Sequence, residues 1–120
     1  RVHTVDITRD QQFAPEFLAI SPNNKIPAIV DRDAGVTLME SGAILIYLAE
    51  KCGRLLASDR NARLATLEWL MWQMGGFGPM PGQVHHFLMQ PDGPAKEYGL
   101  KRYGEETRRL YGAVSYTHLT

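Results

Sequence analysis

The sequence predicts a chain in two parts, mixed α/β in its first half and all-helical in its second. Three observations carry that prediction. Two β-rich runs, Pro27–Asp31 (PAIVD) and Val36–Met39 (VTLM), flank Arg32-Asp33-Ala34-Gly35. That insert reads as a hairpin turn, because Gly35 tolerates positive φ. A helix pattern follows at once over Ser41–Lys51. From Arg60 onward the apolar spacing is helical.

The elements follow in order. Val2–Ile7 is rich in β-branched residues and predicts a strand. Polar Thr8–Gln12 forms a loop. Pro15-Glu16-Phe17-Leu18 begins a short helix, with Pro early, where its missing N–H costs little. Ser21-Pro22-Asn23-Asn24 ends that helix. After the hairpin, Ser41 reads as an N-cap, Ile44, Tyr47 and Leu48 share one face, and Gly53 stops the helix. Leu55–Asp59 is the predicted connection, which sets a boundary near residues 54–59. Arg60–Met74 reads as a long helix striped by Leu64, Leu67, Met71 and Met74 and widened by Trp69 and Trp72. Gly75–Gly82 (GGFGPMPG) interrupts or kinks it. Tyr98–Val114 is the last amphipathic helix, and Ser115–Thr120 (SYTHLT) breaks its pattern, suggesting a non-native tail over 115–120.

Composition narrows the function classes. Thirteen basic residues balance thirteen acidic ones in 120 residues, 44% are apolar and 22% charged. Such a balance gives no field that favours nucleic acid or an anionic membrane. The longest apolar stretch, Ala43–Ala49, is far shorter than the roughly 20 residues that span a bilayer. The one cysteine, Cys52, has no partner for an internal disulfide, which fits a reducing cytoplasm. His85 and His86 are adjacent and point apart on a helix, so no metal site is expected. Trp72, Phe77 and His85 are candidates to line a cleft, although packing also explains them.

Two local patterns carry binding chemistry. Ile26-Pro27 opens the first hairpin strand, and an X-Pro bond reaches cis for about 0.5–1 kcal/mol. A cis bond there turns the Ile26 N–H and C=O outward, where an extended peptide can pair with them. A trans proline at a strand edge is the alternative. Glu40-Ser41 opens the following helix, whose first N–H groups and positive dipole end suit a carboxylate. Glu40 beside it can accept from an ammonium. An ordinary serine cap with a solvated glutamate is the alternative. Together the two patterns suit a small peptide that carries both charges.

At this point NKIPAIVD followed by LMESGAILIYLAEK resembles the glutathione transferase superfamily in its thioredoxin-like half. FAPEFLAISPNNKIPAI, EWLMWQMGGFGPMPGQVHHF and KRYGEETRRLYG are similar to its bacterial nu class, the glutathione-dependent disulfide-bond oxidoreductases. The resemblance covers residues 2–114. It implies a truncated thioredoxin-like domain (β-α-β-β-α) over 1–53, a linker over 54–59 and part of an all-helical domain over 60–114. It also implies roles in glutathione binding. Ile26, ahead of a cis Pro27, pairs with the cysteinyl backbone. Glu40 and Ser41 hold the γ-glutamyl end. Gln12 matches a glutathione-contacting Gln, and Arg102 matches an Arg that reaches a glutathione carboxylate through its planar fork.

The resemblance further implies a homodimer, with glutathione as co-substrate and a small thiol, disulfide or electrophile as second substrate. It departs in one respect. The family's sulfur-orienting residue sits on a first strand and loop, and the chain opens on Arg1 without that segment. The expectation is a fragment that lacks the strand and helix before Val2, marginally stable and inactive on its own. Val2–Ile7 is then expected to re-pair or detach. Other readings are a non-catalytic transferase-like assembly module and an inactive gene fragment.

Overall fold

The computed structural model describes residues 1–118; Leu119 and Thr120, the end of the suspected tail, lie outside the described residues. The chain divides into two compact units, Arg1–Arg63 and a second from Leu64 onward.

In the first unit, Val2–Ile7 is not a strand, which corrects the sequence-based expectation. Among the described residues the sheet has two strands, neither of which includes it. Local hydrogen bonds take its place. The Asp6 carboxylate accepts from the Thr8 amide at 3.0 Å and from the Thr8 hydroxyl at 2.6 Å. The Asp6 amide donates to Gln11 Oε1 at 2.8 Å. Such short-range bonds compete with a strand ladder, and they wind Ile7–Arg9 and Gln11–Phe13 into 3-10 turns. Helix α1, Pro15–Leu18, follows with proline in its first turn.

Strands β1 (Ala28–Asp31) and β2 (Val36–Met39) pair antiparallel, with Ala28 opposite Met39 and Asp31 opposite Val36. Gly35 turns the chain at φ 65. Helix α2, Ser41–Cys52, packs on the hairpin and buries Gly42 and Ile44. Gly53 ends it at φ 62, and the Arg54 amide returns to the Ala49 carbonyl at 3.1 Å, as a left-handed cap requires. Phe17 of α1 is the other buried apolar side chain of this unit.

One carboxylate fastens the hairpin to α2. The Tyr47 hydroxyl donates to Asp31 Oδ2 at 2.6 Å, the Lys51 ammonium donates to the same oxygen, and the Ala34 amide donates to Oδ1 at 3.3 Å. The Lys51 and Tyr47 donors hold the Asp31 carboxyl well below the usual carboxylate range. The same contacts push the Tyr47 hydroxyl and the Lys51 ammonium up.

Helix α3, Arg60–Trp72, begins on Asp59, whose carboxylate accepts from the Ala62 amide at 2.9 Å. Arg63 pairs with Glu50 of α2 at 2.5 Å, which keeps the first turn of α3 with the first unit. The predicted long helix ends two residues early, because Gln73–Phe77 forms a π-helical turn. Gly75 and Gly76 lie in that turn, where helical order is weakest. Pro79 then opens α4, Pro79–Leu88.

Helix α5 spans Pro94–His118, starting before Tyr98 and continuing beyond Val114. Pro94 suits a first helical position, and Lys96 pairs with Asp92 at 2.9 Å just ahead of it. The second unit is packed by rings against small residues. A Cβ on Gly99 would lie 2.2 Å from Phe87, so the ring rests on bare backbone. Phe87 stacks on Tyr103 at 5.6 Å, Trp72 stacks on Phe77 at 5.1 Å, and Phe77 meets Tyr111 edge-on at 5.0 Å. Leu110, 2% exposed, lies against Gly76. Of the predicted α3 stripe, Leu64 and Met71 are exposed, and Leu67 and Met74 are half-buried.

Candidate glutathione-type binding site

The hairpin register builds the site. The ladder ends on the Ala28–Met39 pair, so Pro27, just before Ala28, and Glu40, just after Met39, adjoin the same end of the hairpin. Pro27 has no N–H to extend the ladder, so the sheet ends where α2 begins. The Ile26-Pro27 bond is cis. Ile26 is 54% exposed. The two patterns that stand apart in the sequence therefore meet at one end of the hairpin.

The start of α2 differs in detail from the expected serine cap. Ser41 is the first helical residue, and the cap position falls to Glu40, whose side chain makes no cap bond. The first helical bond runs from the Ile44 amide to the Glu40 carbonyl at 2.9 Å. The amides of Ser41, Gly42 and Ala43 lie ahead of that ladder. Glu40 sits at φ 70, ψ 114. A side chain in that region costs on the order of 1–3 kcal/mol and collects at functional sites.

The loop before Pro27 is equally defined. Ser21, fully buried, donates from its hydroxyl to the Lys25 carbonyl at 2.8 Å. The Asn24 amide donates to the Ser21 carbonyl at 2.8 Å, closing a turn with Pro22 and Asn23 at its corners. From that corner Asn23 Nδ2 donates to Glu40 Oε1 at 3.4 Å, which bridges the loop to the start of α2. Sequence reasoning missed this residue; its one signal is Asn at a turn corner, which turn preference alone explains.

Gln12 and Arg102 stand apart from this cluster. Gln12 lies in the second 3-10 turn, and its Oε1 is buried without a hydrogen-bond partner among the described residues. Arg102 is exposed on α5, in the second unit, near Glu106, whose carboxyl is held below the usual range by hydrogen bonds from Arg109, with the Arg102 charge a lesser contribution. Cys52 is exposed at the end of α2. Among the described residues no three His, Cys, Asp or Glu side chains gather as a metal site, and no helix is long and apolar enough to cross a membrane.

Chemically, the junction brings together the exposed residue Ile26, the start of α2 with its leading amides, the Ser41 hydroxyl and the Glu40 carboxylate. That set suits an extended peptide ending in a carboxylate and an ammonium.

Comparison with known proteins finds relatives along nearly the whole chain. The family model "Glutathione S-transferase, N-terminal domain" matches residues 1–50. Disulfide-bond oxidoreductase YfcG of Escherichia coli is 54% identical over 120 residues, covering 96% of this chain and 55% of that protein. A glutathione transferase from Pseudomonas putida, solved with one glutathione disulfide per subunit, superposes at TM-score 0.88 and 46% identity. It covers 97% of this chain, and this chain covers 53% of it. One from Burkholderia graminis, with two glutathione molecules per subunit, superposes at TM-score 0.87 and 43% identity over 97% of this chain and 50% of that one. The chain thus spans about half the length of the relatives it matches. A partial strand-and-helix region followed by an all-helical region is what this chain shares, at 43–54% identity, with these relatives, and its residues 1–50 match the N-terminal domain of glutathione S-transferases.

Proposed function

We propose that this chain carries the glutathione-binding junction of a glutathione-dependent disulfide-bond oxidoreductase. The observation that carries the reading is the β1–β2 pairing, whose last pair, Ala28–Met39, leaves the cis Ile26-Pro27 step and the Glu40-Ser41 start of α2 at the same end of the hairpin. The glutathione and glutathione disulfide held by relatives at 43–46% identity support the ligand class.

In this reading the Ile26 backbone pairs with the cysteinyl residue as an added strand would. The Ser41 hydroxyl and the leading α2 amides take the γ-glutamyl carboxylate, and Glu40 takes its ammonium. Gln12 and Arg102 enter by their match to the family pattern. The unpartnered Gln12 Oε1 supports its part.

The reaction assigned to the whole protein is thiol–disulfide exchange. A glutathione thiolate attacks one sulfur of a disulfide, a new S–S bond forms, the old one breaks, and the second thiolate leaves. The residues named here bind and orient; none is assigned to sulfur activation. A homodimer belongs to the same reading, supported by exposed Leu45 and Leu48 on α2 and Leu64 and Met71 on α3. Light scattering that finds only monomer at high concentration contradicts that part.

The test is retention on immobilised glutathione with calorimetry alongside. Hydrogen bonds to charged groups are worth about 1.5–3 kcal/mol, so Ser41→Ala is expected to weaken binding roughly tenfold or more. Equal binding by Ser41→Ala and the unaltered chain, or no binding of glutathione or its disulfide by the unaltered chain, overturns the reading.

A further inference from the structure

The geometry points to Asn23 as a positioning residue: its amide holds the Glu40 carboxylate toward the ligand's ammonium and so sets the preference for an α-amino group. This rests on the glutathione reading above and deepens it.

Three observations support it. First, Asn23 Nδ2 donates to Glu40 Oε1 across a separation of 17 residues, joining the prolyl loop to the start of α2. Second, the donor stands on a fixed platform. Fully buried Ser21 binds the Lys25 carbonyl through its hydroxyl and the Asn24 amide through its carbonyl, so both sides of the Asn23 corner are tied. Third, the acceptor is set by the backbone. Glu40 lies at φ 70 between the end of β2 and the first residue of α2. A glutamate on an exposed junction has three side-chain torsions to choose from, and one bond from Asn23 reduces that choice. Asparagine at this corner satisfies the turn by itself, but the turn does not require its amide to reach Glu40.

The Asn23 bond uses one carboxylate oxygen. The other is left to accept from an ammonium, since a carboxylate has about four lone-pair sites. Asn23 therefore orders Glu40 without consuming it. The consequence is selectivity. Ligands with an α-ammonium gain from an ordered Glu40, and ligands without one do not.

The experiment measures calorimetric affinity of the whole chain for glutathione and for glutaryl-Cys-Gly, the same peptide without its α-amino group. Asn23→Ala removes the bond. Asn23→Asp keeps the size and turn preference, removes the donor above about pH 5, and sets a second carboxylate beside Glu40. Circular dichroism identical to the unaltered chain certifies the fold of each variant. Asn23→Ala is expected to bind glutathione about two- to tenfold more weakly and glutaryl-Cys-Gly unchanged. Asn23→Asp is expected to lose at least as much for glutathione at pH 7. Equal losses for both peptides indicate a structural role only and overturn the inference, as does unchanged glutathione affinity in both variants. Loss in Ser41→Ala without loss in the Asn23 variants overturns this inference alone. Failure of the unaltered chain to bind glutathione overturns the reading beneath it as well.

Discussion

Charged contacts join separate elements of the first unit, whereas in the second the ion pairs stay within three or four residues and rings packed on small residues join the elements. In the first, Asp31 collects the Tyr47 hydroxyl, the Lys51 ammonium and the Ala34 amide, and Arg63 meets Glu50. In the second, Phe87 lies on Gly99, Tyr103 covers Phe87, and Leu110 fits against Gly76. The contrast teaches where each unit is vulnerable. Close-packed rings fail when volume changes, and charge-assisted bonds fail when a proton is added or removed. The proposed binding junction belongs to the first unit, so its integrity is expected to follow pH more than packing.

The largest expected effect comes from breaking the packed side of the comparison. Leu110→Ala removes the most buried apolar side chain among the described residues. A cost of about 2–5 kcal/mol is expected. Both tryptophans, Trp69 and Trp72, lie in the second unit, so tryptophan fluorescence during urea unfolding reads it directly. Hydrogen exchange at the β1–β2 amides is expected to change far less. Equal losses in both probes would show that the units unfold as one and erase the contrast.

A smaller effect sharpens the charged side. Asp31 is held below its unfolded value of about 3.9. Its contribution is therefore present in full above that value and fades as pH falls through it toward the lower folded value. Tyr47 and Lys51 are raised, so their contribution is complete below about pH 10 and fades as pH rises through their folded values. Hairpin amide protection is expected to drop at both extremes and stay flat between pH 5 and 9, roughly the window between those values. Asp31→Asn should flatten the acid limb, and an unaltered acid limb in that variant would count against the assignment.

Much of this architecture is legible in the sequence, and the exceptions have physical reasons. The hairpin is readable because VTLM and PAIVD flank a four-residue turn with Gly35 in a left-handed conformation. Helix α2 is readable from its Gly53 stop, and the interruption after α3 from Gly75 and Gly76. Val2–Ile7 misleads because β-propensity measures fit to a sheet surface, whereas Asp6 satisfies the local amides itself. The last helix starts four residues before the expected Tyr98, because Pro94 suits a first helical position. At the candidate site, residue types mark Ile26, Pro27, Glu40 and Ser41, but it is the pairing of β1 with β2 that leaves Pro27 and Glu40 at one end of the hairpin. The Asn23–Glu40 bond and the left-handed Glu40 backbone leave no pattern in composition or spacing, since both depend on tertiary closure.

The account turns on a prolyl loop and a helix start acting as one site for glutathione. The direct measurement is a glutathione titration of the 15N-labelled chain followed by amide chemical shifts. The account predicts that Ile26, Ser41, Gly42 and Ala43 move together along a single saturation curve while the Arg32–Gly35 turn stays still. Shifts confined to either the loop or the helix start, or an unmoved spectrum at saturating glutathione, would contradict it.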